Sequence, residues 1–139
     1  MNYIIDASVA AKIFIKEDYT EKATDLMEAH IKGKLTLIAP TLIIYELGNI
    51  FYKHPHITSE KAYEYITKFL DLQINLVNIH SNTETLREAC TTSKSGKITF
   101  YDASYIALAK KLNTKLITAD EKIWKKMPEH IILIKDLKL

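Results

Sequence analysis

Arginine, cysteine, glycine and proline are all scarce in this 139-residue chain, and each scarcity removes possibilities. A single cysteine, Cys90, excludes an internal disulfide and fits a reducing compartment. It sits beside Ala89 in a helical stretch with no histidine partner in a recognisable motif, so it reads as a small core residue rather than a nucleophile. Three glycines and three prolines leave no room for long flexible linkers. There is no internal repeat, low-complexity segment or composition break, so residues 1–139 are expected to form a single domain with one sizeable core. No stretch approaches the roughly 18 apolar residues that span a bilayer. The first residues lack the basic start and long apolar run of a signal peptide, and Asp6 interrupts them. A cytoplasmic protein without membrane association is expected. The net charge of +2 is too small to argue by itself for nucleic acid. All 19 basic residues except Arg87 are lysines, so phosphate contacts would be mobile point charges rather than bidentate forks.

Periodicity then places the elements. Strands are expected at residues 2–6, 35–39, 74–79, 115–118 and 131–134, each short and rich in β-branched or apolar residues. Helical spacing predicts helices from Ser8 through 9–14, then at 19–31, 41–53, 58–72, 82–92, 101–112 and 120–126, with residues 94–97 a loop. The 41–53 helix is apolar nearly all round, which marks it as buried or paired with another chain. Strands alternating with helices point to an α/β layer fold with a largely parallel sheet. Ligands of such sheets lie beyond the carboxyl ends of the strands, where the strand order reverses.

Four acidic residues stand in apolar surroundings: Asp6 after Tyr3-Ile4-Ile5, Glu46 inside the 41–51 stretch, Asp102 in Thr99-Phe100-Tyr101-Asp102-Ala103, and Asp120 after Leu116-Ile117-Thr118-Ala119. Burying an unpaired carboxylate costs several kcal/mol, so four in separate apolar segments point to a shared site. Asp6 and Asp120 both follow strands, and their side chains open onto one sheet edge if those strands are neighbours. Asp102 lies near a helix start, where an anion is favoured. Each also has a plainer role: Asp6 and Asp120 as helix caps, Asp102 as a helix-start residue. Glu46, on an apolar helix, is the hardest to explain that way. Two carboxylates 4 Å apart repel by about 4 kcal/mol at an effective dielectric near 20. No lysine or arginine is built into these segments except Lys12. A divalent cation is therefore the expected counter-charge, and an all-oxygen set favours Mg²⁺ or Mn²⁺ over Zn²⁺.

These segments resemble the PIN domain family. The residues that carry the likeness are Tyr3-Ile4-Ile5-Asp6-Ala7-Ser8-Val9, Pro40 to Asn49 with Glu46 and Asn49 three apart, Thr99 to Ala109 around Asp102, and Leu116-Ile117-Thr118-Ala119-Asp120. The match is nearest to the VapC-type toxins of prokaryotic toxin–antitoxin pairs and runs nearly the whole chain in the family's order. The resemblance implies a three-layer α/β/α domain with a five-stranded parallel sheet in the order 3-2-1-4-5. It also implies a Mg²⁺- or Mn²⁺-dependent endoribonuclease whose acidic core is Asp6, Glu46, Asp102 and Asp120. Ser8, Asn49 and Thr118 fall at positions that often support the metal or its waters, and Glu121 would add a weaker carboxylate. A homodimer and a cognate antitoxin covering the site are implied as well.

The remaining polar and aromatic residues read as background. The histidines fall at turns, surfaces or a helix end, and the eight tyrosines read mostly as core and interface filling. Lys94 and Lys97 would flank the site entrance and hold RNA phosphates. Two other readings fit part of the pattern. A receiver-type phosphoacceptor signalling domain shares length, fold class and an acidic cleft, but it wants an aspartate ending strand three, where this chain has Asn78-Ile79-His80. A catalytically idle RNA- or partner-binding relative would keep the fold, and the intact acid set argues against it.

Overall fold

Five short apolar segments pair into one all-parallel sheet in the computed structural model, which describes residues 1–139. They are β1 (Asn2–Ile5), β2 (Thr36–Pro40), β3 (Asn75–Val77), β4 (Leu116–Thr118) and β5 (Ile131–Leu133), in the spatial order β3-β2-β1-β4-β5. Seven helices flank the sheet: α1 (Ala7–Ala10), α2 (Thr20–Ile31), α3 (Leu42–Lys53), α4 (Ser59–Asp71), α5 (Thr83–Gly96), α6 (Phe100–Lys111) and α7 (Glu121–Lys126). This is the order that the resemblance implied. It also separates the fold from a receiver domain, whose doubly wound sheet runs 2-1-3-4-5.

The central strands are hydrophobic on both faces because both faces are covered. Ile4 of β1 lies between Ile38 of β2 and Leu116 of β4, and Ile4, Leu37, Ala39, Leu116 and Ile117 are all buried. Helix α6 supplies the densest packing. Seven consecutive residues from Ala103 to Ala109 are buried, because α5 covers one side of the helix while β1, β2 and β4 take the other. Helix α3 instead buries a stripe, Ile43, Leu47 and Phe51, at a spacing of four. Phe51 meets Phe14 edge-on at 5.9 Å and Tyr65 at 5.5 Å, and Phe14 stacks on Tyr65 at 5.1 Å.

The chain leaves β1 leftward through β2 to β3 and rightward through β4 to β5, so the order reverses between β1 and β4. A crevice opens beyond the carboxyl ends of these two strands. Short polar side chains start the helices that rim this edge. Asp6 caps α1 at Val9 N, Thr99 caps α6 at Asp102 N, and Asp120 caps α7 at Lys122 N and Ile123 N.

Several expectations need correction. Helix α5 continues through Gly96, so residues 94–96 are helical and not a loop; Lys97 ends the helix at φ +53°. The Thr91-Thr92-Ser93 run weakens helix propensity, but packing along α6 overrides it. The hydroxyls of Ser95 and Ser93 are taken up by the carbonyls of Thr91 and Ile98. β3 is shorter than expected, because Ile79–Ser81 winds into a 3-10 turn. Cys90 is exposed: Ala89 and Thr92 occupy the inward face of α5 and turn it to solvent. Tyr45, Tyr52, Tyr63 and Tyr101 also face outward rather than filling the core. His30 ties two elements together, its Nδ1 accepting from Leu37 N at 3.0 Å and its Nε2 lying 3.2 Å from the Gln73 carbonyl.

Because Phe51 anchors the aromatic cluster under α3 and α4, Phe51→Ala should cost about 3–5 kcal/mol in urea denaturation. Tyr52→Ala, the exposed neighbour on the same helix, should stay within about 0.5 kcal/mol of the parent.

Candidate active site

Parallel pairing of β1 with β4 sets Ile5 beside Ile117, so the residues that follow, Asp6 and Thr118, meet at the carboxyl edge of the sheet. Asp6 Oδ1 accepts from Ser8 Oγ at 2.6 Å and from Val9 N at 3.2 Å, and Asp6 Oδ2 accepts from the Thr118 hydroxyl. Both hydroxyls are also acceptors, Ser8 Oγ from Ala119 N at 3.1 Å and Thr118 Oγ1 from Asp120 N at 3.1 Å. One hydrogen-bonded network therefore joins two strand ends that lie more than a hundred residues apart in the chain.

The other acids arrive from two helices. Glu46 faces the crevice from α3, and its Oε1 accepts from the buried Tyr105 hydroxyl at 2.5 Å. Asp102 stands in the first turn of α6, where its backbone N–H donates to Thr99 Oγ1 at 3.1 Å. Asp120 uses Oδ1 to cap α7, at 2.8 Å to Lys122 N and 3.4 Å to Ile123 N. Asp6, Glu46, Asp102 and Asp120 line a single open cavity of about 510 Å³, together with Ser8, Asn49 and three tyrosines. Glu46 and Asn49 share it because residues three apart lie on one helix face. A larger cavity, about 680 Å³, lies at the opposite edge beside Met1, Thr114 and Lys115 and contains none of these four acids.

Burial dominates the electrostatics of the cluster. It pushes Asp6 up to about 6, against the opposing hydrogen bonds from Ser8, Thr118 and Val9, and the charge of Glu46 adds to the rise. Glu46 is raised by burial and then by Asp102, with the Tyr105 hydrogen bond acting the other way. Asp102 is raised by burial and by Asp120, against the Thr99 hydrogen bond and the charge of Lys126. The repulsion thus runs through all four acids in turn. Burial, with Glu46 next to it, holds the Tyr105 phenol well above its ordinary range, so it stays a donor at any working pH.

No lysine or arginine lines this cavity. Lys12 is buried elsewhere, its ammonium 3.2 Å from Glu17 and 2.8 Å from the Asp18 carbonyl. The donor set suits a hard divalent cation: every polar side chain around the cavity offers oxygen or amide, with no histidine or cysteine. No three acids converge tightly enough to chelate an ion unaided. Carboxylates spread in this way suit an ion that keeps several waters and takes only one or two carboxylates directly, as Mg²⁺ does.

Four residues expected at the site do not line the cavity, and of these Thr118, fully buried, reaches it only through its bond to Asp6. Glu121 is exposed and paired with Lys135 at 2.7 Å, which draws its charge away from Asp120. Lys94 and Lys97 do not line the cavity. The lysine whose charge reaches Asp102 is Lys126, which donates to the Lys97 carbonyl at 2.7 Å. Conversely, Tyr45, Tyr101 and Tyr105 border the cavity although they read as filling. Tyr105 had a signal, because it lies three residues after Asp102 on the same helix face.

The family model for the PIN domain matches residues 3–129. Ribonuclease VapC3 of Pyrobaculum aerophilum is 28% identical over 131 residues, spanning 92% of this chain and 96% of that protein. Among solved structures, PAE2754 from Pyrobaculum aerophilum superposes with a TM-score of 0.69 at 23% identity, covering 97% of this chain and 90% of that one. VapBC2 from Rickettsia felis, bound to a DNA fragment from its promoter, gives a TM-score of 0.69 at 19% identity over 96% and 97% of the two chains.

The raised Asp6 carboxyl makes folding pH-dependent. The folded chain holds a proton that the unfolded chain releases between pH 3.8 and about 6, so this group's contribution is fully present below 3.8 and is lost as pH rises through 6. In EDTA, thermal melts should therefore shift upward as pH falls from 7.5 to 5. Asp6→Asn should flatten that slope and gain ~1–3 kcal/mol at pH 7.5. A flat parent profile, or an unfolded Asp6→Asn chain, would count against buried-charge repulsion at this site.

Proposed function

This chain belongs to the PIN domain family, and from that premise we propose that it is a Mg²⁺- or Mn²⁺-dependent endoribonuclease that hydrolyses RNA phosphodiesters. We assign its cellular role as the toxin of a VapBC-type toxin–antitoxin pair. The observation that carries the reading is one cavity lined by carboxylates from four separate segments with no basic side chain among them. The relative Ribonuclease VapC3 supports the same reading.

Of Asp6, Glu46, Asp102 and Asp120, one or two would hold the ion directly and the others through its waters, with Ser8, Thr118 and Asn49 orienting the carboxylates and those waters. A divalent ion bound here supplies positive charge that draws in a phosphate and makes a water more acidic. The chain's own residues do the rest. Ser8, Val9 and Thr118 occupy three of the roughly four acceptor sites of Asp6, leaving one direction on Oδ2 free to face the cavity. Tyr105 holds Glu46 by Oε1 and leaves Oε2 open, a carboxylate oxygen whose proton affinity burial has raised. That oxygen is placed to accept a proton from water entering the cavity. Asp120 likewise uses Oδ1 for its cap and keeps Oδ2 available. Lys126 sits where it can meet the RNA backbone outside the acid cluster, with Lys94 and Lys97 as weaker contributors.

Partners follow from the surface. Tyr52 of α3 and Tyr63 of α4 present exposed aromatic rings that a second copy of the chain would cover, while a cognate antitoxin would occupy a hydrophobic groove and block the acid cavity. No helix is long and apolar enough to cross a membrane.

Purified protein with Mn²⁺ or Mg²⁺ should cut a mixed pool of structured RNAs at a few defined positions. EDTA should stop the reaction, and either ion should restore it. Asp6→Asn should lose cleavage by at least ~100-fold while remaining folded. Glu121→Gln should stay within about two-fold of the parent, since that side chain is engaged by Lys135 outside the cavity. Cleavage that survives both EDTA and Asp6→Asn would overturn the assignment.

A further inference from the structure

A second, smaller cavity adjoins the acid site and carries no acid of its own. It encloses about 220 Å³ between the carboxyl ends of β2 and β3 and the first turn of α6. Leu42 and Tyr45 belong to both cavities, so the Tyr45 side chain forms the partition between them. On the far side the smaller cavity is bounded by Phe100, Ile79 and His80. Tyr45 is 77% exposed and Phe100 42% exposed, although every other phenylalanine except Phe14 is essentially sealed in the core. Two aromatic rings thus stand half in water at the border of a charged site, where a packed core would have hidden them.

The polar groups of this cavity are arranged selectively. The Thr41 hydroxyl donates to Asn78 Oδ1 at 2.9 Å, and the Ser104 hydroxyl donates to the Phe100 carbonyl at 2.9 Å. Both protons are engaged within the chain, which leaves the exposed His80 imidazole as the side chain free to meet the polar edge of a ligand. The cavity is lined by two aromatic rings, three aliphatic side chains, two hydroxyls and that imidazole, with no carboxylate or lysine among them. The neighbouring cavity is acidic and suited to a cation and a phosphate.

We propose that the cavity between Tyr45 and Phe100 is a nucleobase-binding subsite, which takes an unpaired base next to the phosphodiester held at the acid cluster. The inference rests on the ribonuclease reading for its ligand, and three observations favour a base over other occupants. The cavity adjoins the acid site along Tyr45 and Leu42, which line both, so one nucleotide laid across Tyr45 can reach both. Its volume admits one heteroaromatic ring system but no helix or strand. Its lining combines two exposed aromatic rings with one imidazole, residue types by which single-stranded nucleic acid is bound.

Free nucleosides test the subsite without any cleavage, because they carry no phosphate for the acids to repel. Titrating adenosine, guanosine, cytidine and uridine separately into the intact chain should give saturable NMR shifts at the side chains of Leu42, Tyr45, Ile79, His80 and Phe100. The rings of Tyr52 and Tyr63 should be unmoved. Phe100→Ala should abolish the shifts. Shifts nowhere, or spread equally over all exposed tyrosines, would overturn the proposal, as would a second copy or another protein covering Phe100 and leaving no room for the base. A second arm uses cleavage: once a cut site is mapped, placing an abasic nucleotide on one side of it should slow the parent roughly ten-fold. Tyr45→Ala should be slowed on the intact RNA by a similar factor, with no further loss on the abasic RNA. If no RNA is cut but nucleosides still bind beside Phe100, the nuclease reading fails and the subsite stands. If RNA is cut and abasic substitution on either side has no effect, the subsite fails and the nuclease reading stands.

Discussion

The hydrogen bonds that Asp6 accepts from Ser8 and Thr118 are what the rest of this architecture is arranged around. They join the ends of β1 and β4 at the one place where the sheet order reverses, and they hold a carboxylate where burial disfavours its charge. The bonds and the burial oppose each other, and burial prevails, since the group titrates near 6 rather than near 4. A side chain kept under that tension is stable only if the surrounding strands are rigid. The apolar central strands and the wholly buried middle of α6 provide that rigidity.

The same residues serve folding and chemistry, and each role constrains the other. Asp6 and Asp120 each begin a helix through Oδ1; Asp6 Oδ2 accepts from Thr118, and Asp120 Oδ2 is left without a partner in the chain. Thr99 performs the capping for α6, which leaves the Asp102 side chain free of that duty. Glu46 depends on Tyr105, a phenol kept in its protonated form first by burial and then by the Glu46 carboxylate it bonds. Using caps in this way lets the chain bring four acids to one edge without four separately buried charges. The residual repulsion among them is the physical reason that a divalent ion would bind there.

Around this charged centre the surface is aromatic rather than basic. Tyr45, Tyr101 and Phe100 border the two adjoining cavities, while the lysines stay on the periphery. A substrate would therefore be held near the acids by ring faces and by the ion, with charge steering confined to outer residues such as Lys126. In the proposed reading, a base free to unstack would meet these rings beside the ion.

Much of this was legible in the chain alone. The alternation of strands and helices marked an α/β sheet, and Asp6, Glu46, Asp102 and Asp120 stood out because a carboxylate in an apolar segment demands an explanation. That signal is local: neighbouring residues declare burial, and burial declares cost. Other features were decided only by tertiary structure. Glu121 directly follows Asp120, yet Lys135, from a distant segment, turns it away. Tyr45 and Tyr105 read as filling, but one became a cavity wall and the other the partner of Glu46, because those outcomes depend on how α3 and α6 face each other across the crevice. Cys90 and the last turn of α5 were misread for the same reason, since packing against α6 sets both which face is buried and how far the helix runs. The sequence by itself determined which residues were costly to bury; only the fold decided which of them would meet, because contact across a hundred residues is a property of strand order and not of spacing.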